Sequence, residues 1–259
     1  MSMDRHNGAE GGWLERLVRL DTVVSTQEEA RRLAESGAPE GTAVMAEEQT
    51  GGRGRQGRRW HSPRGQGIWM SVVLRPRLTA AAAPQLTLLA GVAVCEALRE
   101  VAGVEAGIKW PNDLLIGGRK VCGILLEAHF REGVPDYLIA GIGVDCLAVE
   151  EDFPEELRAV ATSLRIERGG VPVDREELAA AMLSGLEERY RQYFAEGFAP
   201  IAARWEELSV TLGRRIALAG PKEQRTGVAA GLDENGGLRL VNDAGETFTV
   251  LSGEIEWMN

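Results

Sequence analysis

The stretch that most limits how this chain can fold is residues 86–101, an apolar helical segment with small residues on nearly every side. Such a helix has no face to give to water, so it must be buried, packed across a sheet. Strand-like runs flank it: 17–24, 42–47 and 68–74 before it, and 107–110, 114–116, 120–129 and 137–144 after it. The Gly117-Gly118 pair between two of these runs signals a hairpin. Ser25 with Glu28, or Thr26 with Glu29, has capping-box spacing and starts a helix that stops near Gly37. Residues 174–195 carry an amphipathic helix, and 201–208 continue helical after Pro200. Together these elements describe an α+β domain, a mixed sheet with helices on one face.

The local style changes near residue 208. From there on, short strand-like runs alternate with tight turns such as Asp233-Glu234-Asn235-Gly236-Gly237 and Asn242-Asp243-Ala244-Gly245, the pattern of a small β-barrel of about fifty residues. The reading is a mobile N-terminal segment over 1–12, one large domain over 13–208 and a barrel over 209–259.

A formal net charge of −10 opposes nonspecific nucleic-acid binding by the molecule as a whole. Cys95, Cys122 and Cys146 are odd in number, widely spaced and set in apolar runs, which reads as buried free thiols in a reducing, cytoplasmic compartment. No metal-ligand spacing joins them to His6, His61 or His129. No run approaches the roughly 20 apolar residues of a membrane span. Neither a nucleic acid nor a membrane is an expected partner.

Three segments carry chemistry. Residues 49–60 read Gln49, Thr50, Gly51, then GRGRQGRRW from Gly52 to Trp60. Five arginines fall between positions 53 and 64 with no acidic residue among them. Glycine lets the backbone approach an anion closely, and the arginine fork fits phosphate or carboxylate oxygens. A mobile loop that folds over an anionic ligand is expected, though a solvated basic loop or a nucleic-acid patch fits the same residues. Lys109-Trp110-Pro111-Asn112-Asp113 gathers a cation, an aromatic and two polar side chains at a corner, because Pro111 keeps Trp110 out of helical conformation. An ordinary surface turn fits these five residues equally. Lys120 follows across the glycine turn, so a hairpin would bring Lys109 and Lys120 to one site. Gly141-Ile142-Gly143-Val144-Asp145 closes an apolar strand, where glycines mark close packing as readily as a ligand.

Taken in order, these segments resemble the biotin–protein ligase family. The matching pieces are Ser25-Thr26-Gln27, the GRGRQGRRW loop, Lys109 to Asp113, Lys120 with Gly123 to Glu127, Gly141 to Asp145, Thr162-Ser163-Leu164 and Ser252-Gly253-Glu254-Ile255. The resemblance implies a catalytic domain like that of class II aminoacyl-tRNA synthetases and biotin ligases, followed by a C-terminal SH3-like barrel. It implies an enzyme that makes biotinyl-5′-AMP from biotin and ATP, with Mg²⁺, and passes the biotin to a lysine of a biotin carboxyl carrier protein.

By the same resemblance Arg53, Arg55, Lys109, Lys120 and Asp113 are the catalytic candidates. Ser25, Thr26, Gln27, Gln49, Gly52, Gly54 and Gly123 join Arg53, Arg55 and Lys120 around biotin. Arg58, Trp60, Lys109, Asn112 and Asp145 take the nucleotide. Two residues depart from the family's habit of asparagine: Gln27 moves an amide by one methylene, and Asp145 puts a carboxyl where an amide is usual. Some members carry an N-terminal DNA-binding domain; the 24 residues before Ser25 are too few for one. A homodimer is an open expectation, since the family holds both monomers and dimers. Two rivals remain: a lipoate–protein ligase, and a nucleic-acid-binding protein using the arginine loop.

Overall fold

The computed structural model describes residues 11–132, 134–219 and 225–258. Most of the N-terminal segment expected over 1–12 lies outside the described residues. Seven strands, β1 (Leu17–Val23), β2 (Ala43–Gln49), β3 (Gly67–Leu74), β4 (Gly107–Lys109), β5 (Asp113–Ile116), β6 (Arg119–Arg131) and β7 (Val134–Asp145), form one sheet in the order β1-β2-β3-β7-β6-β5-β4. Strands β1 and β2 run parallel, and every other neighbouring pair is antiparallel.

Period-two side-chain alternation decides what covers each face. Ala43, Met45, Val72, Leu74, Leu138 and Ala140 point to one side, into the core shared with α2 (Ala83–Ala102) and α4 (Arg175–Glu196). Their chain neighbours Val44, Val73, Tyr137 and Ile139 point to the other side, where they meet Ala30 and Ala34 of α1 (Thr26–Glu35). The helices are therefore not confined to one face, as the sequence suggested. Strand β3 is buried at all its positions, and a strand buried on both sides needs cover on both sides. Helix α1 supplies that cover over the β2-β3-β7 end and leaves the same face of β6 and β5 open to a cleft.

The apolar segment is the buried helix it was expected to be, with α5 (Ala199–Leu208) packed beside it. Leu98 on α2 is 0% exposed. Its truncation to alanine is expected to cost about 2–5 kcal/mol, read as a lower denaturation midpoint at unchanged slope. Pro200 sits in the first turn of α5, where its missing N–H leaves nothing unpaired. The Gly117-Gly118 pair has positive φ at both residues (58° and 86°) and joins β5 to β6 with Ile116 opposite Arg119, a two-residue hairpin.

Beyond residue 208 the chain forms a second, antiparallel sheet from β8 (Arg215–Ala219), β9 (Thr226–Leu232), β10 (Leu238–Val241), β11 (Thr247–Val250) and β12 (Glu254–Trp257), in the order β11-β10-β9-β8-β12. It is tied to the first: Val210 N–H donates to Ile108 O at 3.0 Å, Trp110 N–H to Thr211 Oγ1 at 2.9 Å, and Gln85 Nε2 to Glu234 O at 2.9 Å. The sequence reading set no strand over β12, whose four residues alternate polar and apolar after Ser252-Gly253 but are too few to stand out. Nor did it signal α3 (Leu164–Glu167), a single turn capped by Ser163, which accepts from Ile166 N–H at 3.1 Å.

Candidate active site

A cleft of about 570 Å³ opens on the α1 face of the large sheet. Its floor belongs to strands that alternate correctly to reach it: Ser71 on β3, Gly141, Gly143 and Asp145 on β7, and Gly123 and Leu125 on β6. The start of α1 makes one wall. The loop from Arg53 to His61 makes a roof, the β4–β5 corner a second wall, and Gly253 to Trp257 of the second sheet closes the far side.

At the α1 end a chain of buried polar groups faces inward. Ser25 caps the helix by accepting from Gln27 N–H at 3.2 Å, so the hydroxyl reaches the second helical residue rather than a capping-box partner. Gln49 Oε1 accepts from Thr26 N–H at 2.9 Å and from Thr26 Oγ1 at 3.1 Å. Its Nε2 donates to Ser62 Oγ at 3.0 Å. The Thr26 and Ser71 hydroxyls lie 2.8 Å apart, and Ser71 donates to Gln27 Oε1 at 3.1 Å while Gln27 Nε2 donates to Ile139 O at 3.1 Å. Three contacts among these hydroxyls and amide oxygens compete for two hydroxyl hydrogens, so a ligand N–H can complete the set. Gly141 matters here: a Cβ on it would sit 2.4 Å from Gln27 Oε1.

At the other end lie the cations. Arg55 Nη1 donates to Asn112 Oδ1 at 2.7 Å and Nη2 to Gly253 O at 3.2 Å, which ties the loop to both walls. Asn112 Nδ2 in turn donates to Ile124 O at 3.0 Å. Lys120 Nζ is 2.7 Å from Asp113 Oδ1 and lies 5.1 Å from the Trp60 ring centre. The backbone of Lys120 is gripped by residues 160–162: its N–H donates to Val160 O and its carbonyl accepts from Thr162 N–H, both at 2.8 Å. Lys109 Nζ stands 5.4 Å over the Trp257 ring. Arg53 pairs with Glu28 at 3.0 Å, and Arg58 pairs with Glu254. Trp60 lies flat against the glycine floor, since a Cβ on Gly143 would come within 2.5 Å of its Nε1 and one on Gly123 within 2.8 Å of its Cζ3.

Among the described residues, Arg55 and Lys109 have no ion-pair partner within 4.0 Å. Burial lowers the proton affinity of both below the usual range; Asp113 opposes that for each, while Arg58 reinforces it at Arg55 and Lys120 at Lys109. The hollow therefore holds partly dehydrated positive charge that an anionic ligand would relieve. Burial pushes the Asp145 carboxyl well above the carboxylate range, with Lys120 pulling the other way.

Arg53, Arg55, Lys109, Lys120 and Asp113 all line this one cleft, together with Ser25, Thr26, Gln27, Gln49, Gly54, Arg58, Trp60, Asn112, Gly123 and Asp145. Gly52 does not line it. It lies beneath the loop, accepting from Trp60 N–H at 2.9 Å, and a Cβ there would stand 2.8 Å from Trp60 O. Its smallness serves backbone packing rather than contact with a ligand. Sequence reasoning missed Ser71 and Trp257, and quoted Glu254 in the closing segment without giving it a role. Ser71 had a faint signal, a lone hydroxyl in an otherwise apolar strand. The other two lie on β12, which follows Gly253, 198 residues from its partner Arg55, a separation no local pattern bridges.

Known proteins resemble both parts of the chain. Residues 21–145 match the biotin/lipoate A/B protein ligase family, and residues 211–258 match the biotin protein ligase C terminal domain. The bifunctional ligase/repressor BirA of Bacillus subtilis is 42% identical over 240 residues, covering 93% of this chain and 73% of BirA. The biotin–[acetyl-CoA-carboxylase] ligase of Paracoccus denitrificans is 36% identical over 231 residues, 88% of this chain and 94% of that one. The solved biotin protein ligase from Aquifex aeolicus in complex with biotin and ATP superposes with a TM-score of 0.81 at 35% identity, covering 93% of this chain and 98% of that chain. With both of its sheets matched in this way, the chain belongs to the biotin/lipoate A/B protein ligase family, among the members that carry a biotin protein ligase C-terminal domain.

Proposed function

We propose that this protein is an ATP-dependent biotin–protein ligase, which forms biotinyl-5′-AMP and transfers the biotin to a lysine of a biotin carboxyl carrier protein. The observation that carries the reading is the division of one cleft into a polar, uncharged end under α1 and a cationic end under the arginine loop. Biotin's ring takes the first end, near Ser25, Thr26, Gln27 and Gln49, with its carboxylate directed toward Arg53, Arg55 and Lys120. ATP takes the second, with Trp60 against its base and Lys109 at its phosphates. The match to a biotin protein ligase C-terminal domain favours biotin over lipoate as the acid.

In the first step a carboxylate oxygen attacks the α-phosphorus, the bond to the bridging oxygen of the β-phosphate breaks and pyrophosphate leaves; Mg²⁺, if brought in with ATP, would offset charge on the leaving group. Both reactants are anions. Lys109, Lys120, Arg53 and Arg55 suppress their repulsion and hold them in line. In the second step the carrier lysine, as the neutral amine, attacks the carbonyl of the mixed anhydride and AMP leaves. Asp113, already 2.7 Å from Lys120, has a second carboxylate oxygen with which to orient that amine. Asp113→Asn should slow transfer from preformed adenylate; an unchanged transfer rate removes Asp113 from this role.

The second sheet reads at finer detail as an SH3-like barrel, with the domain boundary near 208/209. Three buried free cysteines support a reducing, cytoplasmic setting. The whole reading is tested by supplying labelled biotin, ATP and a biotin carboxyl carrier protein. Label on the carrier lysine, dependent on ATP, supports it; label absent, or present equally without ATP, refutes it.

Arg55 bridges the roof to Asn112 and Gly253, so its loss should loosen the cover over the adenylate. Arg55→Ala is expected to release biotinyl-5′-AMP into solution at least about tenfold faster, given that charge-assisted bonds contribute roughly 1.5–3 kcal/mol. Filtration after a single turnover measures it.

A further inference from the structure

Many polar groups of the cleft are already engaged with the protein, whereas the buried Asp145 carboxyl, like the Trp60 and Trp257 indole nitrogens, is not. Asn112 gives its oxygen to Arg55 and one amide hydrogen to Ile124. Gln27 is held at both ends by Ser71 and Ile139. Asp145 is 7% exposed and lines the cleft at the end of β7, and its carboxyl makes no hydrogen bond or ion pair with the described residues. It stands two residues from Gly143, on the same face of the strand, and Trp60 lies on that glycine. A buried polar group without a partner needs an explanation, and this one borders the cavity.

We propose that Asp145 is a base-reading residue that works as a neutral acid, offering an O–H to a ring nitrogen of the purine and a C=O to the adjacent amino group. The inference rests on the ATP-binding reading above. A carboxylate could accept from the amino group but would face the lone pair of the ring nitrogen; a carboxylic acid satisfies both, as a carboxamide does when it reads adenine at two points. The surroundings keep the proton in place. Among the described residues Lys120 on β6 is the one charge acting on Asp145, and Asp113 already lies against it. The remaining neighbours, Cys122 on β6 and Cys146 next in the chain, are buried thiols held neutral by their own desolvation; Arg175 of α4 acts on Cys146. An aspartate in such a dry site stays protonated and serves as a donor.

The test measures equilibrium binding of ATP by the intact protein with biotin present, from about pH 6.5 to about pH 9. ATP should bind progressively more weakly to the natural protein once Asp145 ionises, by up to tenfold per pH step above that point. Asp145→Ala should bind about tenfold more weakly at the acid end, and Asp145→Asn should recover the affinity and remove the alkaline decline. ATP analogues with ring nitrogen 7 or 1 replaced by CH locate the contact: one of them should be penalised by the natural protein and not by Asp145→Ala. A ligand-free control comes from thermal unfolding. A carboxyl whose folded proton affinity is raised lowers stability as pH climbs above its unfolded value, so Asp145→Asn should flatten that fall. Parallel pH profiles for the natural protein and Asp145→Asn overturn the proton assignment. So does a loss of affinity in Asp145→Asn that extra Mg²⁺ corrects, which would make Asp145 an ionised cation ligand. If ATP fails to bind any version at any pH, the functional reading falls with it, a result distinguishable from the other two.

Discussion

Replacing Lys120 by alanine is expected to lower the second-order rate constant for biotin adenylation about 10²–10³-fold, with a smaller change in biotin affinity. Three contacts make this lysine the most demanding position in the cleft. Its ammonium lies against Asp113 and faces the Trp60 ring, and its backbone is held by bonds to residues 160 and 162. A charge fixed this firmly does not have to reorganise when negative charge builds on the α-phosphate, which is where electrostatic catalysis gains its advantage over water. Removing it also leaves Asp113 beside the incoming phosphates without its counter-charge, so repulsion is added to lost attraction. Pre-steady-state measurement of adenylate formation, with biotin binding measured separately, checks the split. A rate within about threefold of the natural enzyme would be too small for this role.

Gly141→Ala is expected to weaken biotin binding by about 100-fold while ATP binding moves far less. The added methyl would stand 2.4 Å from Gln27 Oε1, and Gln27 has nowhere to go. It is 4% exposed and fixed by Ile139 O and Ser71 Oγ. Forcing it aside breaks at least two buried hydrogen bonds, at roughly 1–3 kcal/mol for each group left unsatisfied. It also misaligns the polar chain through Thr26 and Gln49. The nucleotide end lies past Gly143 on the same strand and keeps its own contacts. Titration calorimetry with each ligand alone separates the two effects, and equal losses for both would mean that the sheet as a whole had shifted.

Much of this was legible in the sequence because the signals were local. The buried α2, the two-glycine hairpin and the strands bounded by turn residues each follow from rules that operate within a few residues. The cleft was legible for a related reason. The arginine loop, the Lys109 corner and Lys120 each announce unusual chemistry within a dozen residues, and the hairpin that unites Lys109 with Lys120 was itself predictable. What escaped depends on distance. Helix α1 covers the second face because β3 is buried throughout, a demand visible only once β3 is known to be central. Gly52, Gly141 and Gly143 look alike in the sequence, yet the first is small for the sake of Ser62 and the Trp60 backbone, and the others for Gln27 and the Trp60 ring. Glu254 and Trp257 reach the cleft from the second sheet to meet Arg58 and Lys109, a juxtaposition that only folding creates.

The measurement that bears most directly on a carboxylic acid held against an α-phosphate is the fate of α-labelled ATP mixed with biotin, without any carrier protein. Label should pass to biotinyl-5′-AMP, with one pyrophosphate released for each adenylate, and neither product should form when biotin is omitted or replaced by lipoate. Pyrophosphate release indifferent to biotin, or adenylate formed on lipoate as readily as on biotin, would contradict it.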